Sequence, residues 1–179
     1  MQLDLSAKLW RKTGMDALVK NLAAYGEYHR DRRNVATHLV GIPMIVLAVE
    51  VLLARPLLDI PVLGVAMTPS MIASALAAVW YLQLGFRVGL VMTVVLAVLV
   101  SLGKAIAAIS TLAWLGGGAA LFVIGWAFQF LGHHYEGRKP AFVDDLKSLL
   151  VGPLFVVAEL AFMLGLWRDL RSELEKRAA

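Results

Sequence analysis

The sequence contains no cysteine, which excludes disulfides, thiolate metal sites and thiol nucleophiles. Charge is sparse, at 17% of 179 residues, and gathers at the two ends and in two short stretches. Histidine is scarcer still, with four in the whole chain. Gly116, Gly117 and Gly118 lack the Lys-Ser/Thr that would complete a phosphate-binding loop, and no G-x-S-x-G is present. Residues 1–12 mix Asp4, Lys8, Arg11 and Lys12 with apolar side chains. They offer no apolar core of the kind a secretory leader needs, so no cleavable signal peptide is expected.

What is abundant is apolar surface. The hydrophobic fraction is 60% and the mean hydropathy is +0.74, against roughly 45–50% apolar residues in soluble domains. A soluble globule of this size would struggle to hide so much, so lipid is the expected solvent. The formal charge of +4 reads as basic flanks beside a membrane, with no nucleic-acid partner expected.

Periodicity divides the chain into one domain over 1–179. Residues 15–33 read as an amphipathic helix followed by a charged run, with Leu18, Leu22 and Tyr25 on one side. This helix is too polar to span, and suits the interface or the underside of a bundle. Asn34 reads as the N-cap of the next helix. Apolar stretches follow at 35–53, 70–86, 88–109 and 111–134, which makes 35–134 the membrane-spanning part. Residues 56–69 carry Pro56, Pro61 and Pro69 and read as a loop or short broken hairpin. The second and third stretches are joined by almost nothing and form a tight pair or a bent unit. A fifth apolar segment at 149–167, with Pro153 and Glu159, either spans or lies re-entrant, and a charged tail closes the chain. The expected fold is all-α: an integral membrane bundle of about four to five hydrophobic helices plus the N-terminal amphipathic one. Gly118, Gly125 and Gly132 recur every seven residues, and Gly85 and Gly89 form a second small pair. Both read as close-packing sites. Glu50 and Glu159 read as structural.

Lysine and arginine favour the cytoplasmic side. Seven precede the first span, only Arg55 follows it directly, and Arg138, Lys139 and Lys147 follow the fourth. Four crossings then put residues 29–38 and 133–147 on one cytoplasmic face, that of the inner membrane if the source is bacterial; 135–179 stay on that side. All four histidines, His29, His38, His133 and His134, lie in these two segments.

His29 and His38 are nine residues apart and would point roughly opposite ways on one unbroken helix. A break near Asn34 lets a helix corner turn both inward. Trp126, Gln129, His133 and Glu136 share one face of the fourth stretch. His133 and Glu136 at i, i+3 are similar to the inward carboxylate–histidine pairs of metal-binding bundles. Imidazole and carboxylate suit Fe, Zn, Mn or Ni alike. The bland alternatives are that Glu136 pairs with Arg138 or Lys139 at the surface, that Gln129 bonds a neighbouring backbone group, that Asn34 only caps, and that His134 is interfacial decoration.

Two motifs carry a family resemblance. Tyr25-x-x-x-His29-x-x-x-x-Asn34-x-x-x-His38-x-x-Gly41-x-Pro43 resembles the first signature of the Mpo-like membrane family. Gln129-x-x-Gly132-His133-x-x-Glu136-x-x-x-Pro140-Ala141, with Gly152-Pro153 downstream, resembles the second. The resemblance runs from about Tyr25 to Glu159. It implies an iron(II)-dependent dioxygenase of fatty acid α-oxidation, which uses O2 to convert a 2-hydroxy fatty acid into the acid one carbon shorter. It implies Fe(2+) as cofactor and His29, His38 and His133 as iron ligands, with His134, at a variable position, as a fourth candidate ligand. Glu136 enters as a catalytic motif residue that either ligates or orients a ligand, and Asn34, Gln129 and Tyr25 as its supports. Arg33, Arg138 and Lys139, with Arg30 and Arg32, either attract the substrate carboxylate or anchor to anionic headgroups. Two other readings stand beside this one. The first is another metal-dependent lipid enzyme, a hydrolase or hydroxylase, although four histidines are too few for a histidine-box di-iron centre. The second is a small transporter or assembly protein with structural histidines.

Overall fold

The computed structural model describes residues 2–60 and 64–178, with side chains described for 14–59 and 64–177. Of the 56–69 segment, Pro61 lies outside the described residues, as do the side chains of Lys8, Arg11 and Lys12. The described chain is helical apart from one hairpin. Helix α1 covers Gln2–Gly26 and α2 covers Arg32–Leu52. Strands β1 (Leu58–Ile60) and β2 (Val65–Met67) pair antiparallel, Asp59 opposite Ala66. Then come α3 (Pro69–Leu84), α4 (Phe86–Ile109), a π-helical turn (Leu112–Gly117) running into α5 (Gly118–Glu136), a 3-10 turn (Ala141–Val143), α6 (Ser148–Met163) and α7 (Arg168–Ala178).

Three of these, Arg32–Leu52, Phe86–Ile109 and Leu112–Glu136, are long and apolar enough to cross a membrane. With 21 residues α2 is about 31 Å long, matching a hydrocarbon core of about 30 Å. Helix α3 is apolar but shorter, at 16 residues. The outward faces of α3 and α4 expose Leu76, Val79, Leu90, Val94, Val98 and Leu102, a surface that suits lipid.

Helix directions follow from three close approaches on α5. A methyl group on Gly118 would meet Leu52, one on Gly125 would meet Ile45 and the Gly41 carbonyl, and one on Gly132 would meet Asn34 and Thr37. As the α5 number rises by seven, the α2 number falls by about as much, so the helices run antiparallel, with the glycine stripe as their contact. Gly103 near the end of α4 faces Glu50 near the end of α2, so α4 runs parallel to α2. Helix α3 returns the chain between them and turns tightly at Gly85, with Gly89 against the backbone of Tyr81 and Leu82. A polar clasp closes the far end: Ser74 donates to Glu50 at 2.6 Å.

The near end is sealed from below. Leu18, Val19, Leu22 and Tyr25 of α1 are buried against Val151, Leu154, Phe155 and Ala158 of α6 and Leu170 of α7. The amphipathic segment thus packs beneath the bundle. Helices α6 and α7 meet at 112°, with Gly165 and Trp167 at positive φ between them, so the fifth apolar segment bends back instead of running straight into its charged tail.

One cap differs from expectation. Asp31, not Asn34, caps α2: its carboxylate accepts from the Arg33 amide at 2.8 Å. Asn34 sits inside the first turn, fully buried, with its side chain committed elsewhere.

Candidate metal centre

His29, His38 and His133 meet at the near end of the bundle. One ring nitrogen from each lies within 4.8 Å of the others, and all three residues are buried. Ring centroids are 4.4 Å apart for His29 and His38, 5.1 Å for His29 and His133, and 4.9 Å for His38 and His133. Each ring comes from a different local structure. His29 follows the end of α1, where Tyr28 and His29 amides bond back to Tyr25 and Gly26 carbonyls in a tightening turn. His38 sits one turn into α2, and His133 in the last turn of α5.

The backbone fixes two of the tautomers. His29 Nδ1 lies 2.7 Å from the Tyr25 carbonyl oxygen, and His38 Nδ1 lies 2.9 Å from that of Asn34. A carbonyl only accepts, so both Nδ1 atoms carry the proton, and a neutral ring leaves Nε2 with its lone pair free. Metal-bound histidines are oriented in this way. His29 Nε2 and His133 Nδ1 are buried with no hydrogen-bond partner. Orphaned imidazole nitrogens inside a protein are costly, and a cation held by these clustered rings would remove that cost. The donor set fits a divalent iron or zinc ion. Burial pushes His29 down to about 4 against the bond to Tyr25, with His133 adding to the fall. The ring is therefore uncharged at neutral pH, the form that ligates a metal.

Tyr25 stacks on His29 at 4.1 Å and 10°, and Phe155 of α6 packs against both rings. Gly152 brings α6 this close, since a methyl group there would come within 3.1 Å of the Tyr25 hydroxyl. Burial raises the Tyr25 phenol well above its usual range, so it keeps its proton.

Glu136 lies outside the three-nitrogen cluster. Its carboxylate accepts from the Arg30 amide at 3.0 and 3.1 Å, the Asp31 amide at 2.9 Å and Asn34 Nδ2 at 3.0 Å. It thereby fills the open N-terminus of α2 from α5, where the helix dipole favours an anion. Asn34 also donates to the Tyr28 carbonyl at 3.0 Å, so one amide joins the α1–α2 corner to α5. Gln129 and Trp126 lie one and two turns before His133 on its face, and their Nε2 and Nε1 atoms are buried without partners. His134 is exposed on the other side of α5. The basic residues are engaged at the surface: Arg33 with Asp31 at 2.8 Å, Arg138 with the Glu27 carbonyl at 2.8 Å, and Lys139 with Asp144 at 2.6 Å. Asp144, which also accepts from Tyr28 at 3.0 Å, did not stand out in the sequence, because the Asp144-Asp145 pair in a polar loop carries no pattern that points to a partner.

Sequence comparison supplies an independent line. The family described as 2-hydroxy-palmitic acid dioxygenase Mpo1-like matches residues 15–164. The chain is similar to the 2-hydroxy-palmitic acid dioxygenase MPO1 of Saccharomyces cerevisiae, with 32% identity over 165 residues covering 90% of each chain. No solved structure matches.

Proposed function

The chain belongs to the Mpo1-like family, and on that premise we propose that it is a membrane-embedded iron(II) dioxygenase that shortens 2-hydroxy fatty acids by one carbon. The observation that carries the reading is the meeting of three buried imidazoles, two with Nδ1 tied to backbone carbonyls. His29, His38 and His133 would hold the metal. When bound, iron(II) supplies O2 activation and Lewis acidity toward the oxygens of a 2-hydroxy acid.

The chain's own residues do the rest. The Tyr25 and Asn34 carbonyls hold the Nδ1 protons and keep Nε2 free. Glu136 and Asn34 hold α5 to the α1–α2 corner, which keeps His133 facing the other two rings. Phe155 and Tyr25 wall the site with aromatic carbon, which excludes water. In the overall reaction the C1–C2 bond breaks, C1 leaves as CO2 and C2 becomes the new carboxyl carbon. The four electrons released by these carbons reduce one O2, and the atoms balance with one water formed. The basic segments before α2 and after α5 lie at the same end of the bundle, which supports a cytoplasm-facing site.

The test is turnover of 2-hydroxypalmitate by purified, iron-loaded protein. The expected result is O2 uptake matched by a C15 acid. No turnover with iron demonstrably bound overturns the reading, and stoichiometric zinc in place of iron, with no O2 uptake, points to hydrolytic chemistry on the same scaffold.

A further inference from the structure

A small slot lies beside the triad, between α2, α5 and α6. It has a volume of about 70 Å³ and is lined by His38 and His133 together with Tyr25, Gln129, Trp126 and Ile42, among others. Two N–H donors in its wall have nothing to bond. Gln129 is 5% exposed, and its Nε2 is buried and unpartnered, as is the indole Nε1 of Trp126. Both are held in place. The Trp126 ring packs on Phe142, Phe130 and Phe122, with centroids 5.0, 5.6 and 6.1 Å away. The Gln129 amide lies over Gly41, where any Cβ would collide with its nitrogen. An indole N–H only donates, and leaving such a group buried and unpaired is costly. Two fixed, idle donors beside three imidazoles call for an oxygen-rich ligand.

We propose that this slot binds the head of the 2-hydroxy acid, with Trp126 Nε1 and Gln129 Nε2 donating to its carboxylate or hydroxyl oxygens, while the alkyl tail leaves past Ile45, Val46 and Leu149 toward lipid. The proposal rests on the dioxygenase reading and adds two substrate-binding residues and a route to it. Size supports the division. At about 10–15 Å³ of such space per water, the slot takes roughly five waters' worth of ligand, room for a carboxylate and a hydroxyl but not for a whole long chain. Apart from Ser148 its other walls are apolar, and Leu149 at the rim is half exposed. No acidic side chain lines it. A larger pocket of about 680 Å³ between α1, α6 and α7 touches the triad only through His29, and its charged lining is balanced, with Glu27, Glu159 and Glu175 beside Arg30, Arg171 and Arg177.

The experiment measures equilibrium binding of 2-hydroxypalmitate and 2-hydroxybutyrate to iron(II)-loaded protein without O2, alongside metal content. Trp126→Phe and Gln129→Met should each raise the Kd for both acids about tenfold, the scale of one hydrogen bond to a charged group, with metal content unchanged. Leu149→Trp, at the half-exposed rim, should weaken 2-hydroxypalmitate and spare 2-hydroxybutyrate. Wild-type affinity in both donor variants overturns the slot assignment and leaves the dioxygenase reading standing. Loss of metal from both variants also overturns it, because the residues then support the triad instead. If the loaded wild-type protein binds neither acid, the dioxygenase reading fails and the slot assignment with it.

Discussion

Asn34 and Glu136 are hydrogen-bonded at 3.0 Å across the contact between α2 and α5, although they lie 102 positions apart. Glu136 accepts from two backbone amides as well, and Asn34 reaches on to the Tyr28 carbonyl. The pair therefore sets the distance between the helix carrying His133 and the corner carrying His29 and His38. Glu136→Gln puts an amide donor where donors already point. Hydrogen bonds to charged groups are worth about 1.5–3 kcal/mol each, so the variant should lose about 2–4 kcal/mol of stability and most of its metal. Thermal unfolding in detergent and metal analysis of the same sample check both effects.

The glycine stripe makes a sharper contrast. A Cβ at Gly132 would run into Thr37 Oγ1 and Asn34 Oδ1, whereas one at Gly117 meets nothing within 4 Å. Gly132→Ala should cost about 1–3 kcal/mol through overpacking and spread the triad. Gly117→Ala should be neutral, or stabilise by about 0.5–1 kcal/mol as in other helix interiors. Melting temperature and metal content, measured side by side, separate the two.

His29 sets a pH dependence for the metal-free protein. Its folded pKa of about 4 lies below its ordinary 6.5, so between those values the unfolded chain binds more protons than the folded one. Stability is therefore fully present above pH 6.5 and falls as pH drops toward 4, by up to about 3 kcal/mol. Melting the metal-free protein at pH 7 and pH 5 should show the loss, and His29→Gln should reduce it.

The basic residues near the site answer a different question. Arg138 already donates to the Glu27 backbone carbonyl and Lys139 is paired with Asp144, both at the surface, and an exposed ion pair contributes about 0–1 kcal/mol. Replacing either with alanine should change KM for a 2-hydroxy acid by less than about fivefold, with kcat unchanged. A change in kcat of tenfold or more in steady-state assays would bring them into the site itself.

Much of this was legible in the sequence, and the gaps have physical reasons. Long apolar runs announce membrane-type helices by length alone, and the seven-residue glycine spacing announced a packed face on α5. Histidine scarcity made the convergence readable, since four residues in two segments leave few arrangements. The cap of α2 was not legible: Asp31 and Asn34 are equally good caps by type. Only the Glu136 carboxylate, arriving from a hundred residues away, decides that Asn34 is needed inside the turn. Trp126 was visible on the face of His133, but an interfacial tryptophan is ordinary until its Nε1 is seen buried and unpaired. The large pocket below α1 had no sequence signal, because it arises from the bend between α6 and α7.

The most direct measurement is X-ray absorption at the iron edge on the purified, loaded protein, with metal analysis of His29→Ala, His38→Ala and His133→Ala. The account predicts one iron per chain with about three imidazole nitrogens in its coordination shell, and iron lost in all three variants. Wild-type iron content in any of the three, or a shell without imidazole, would contradict it.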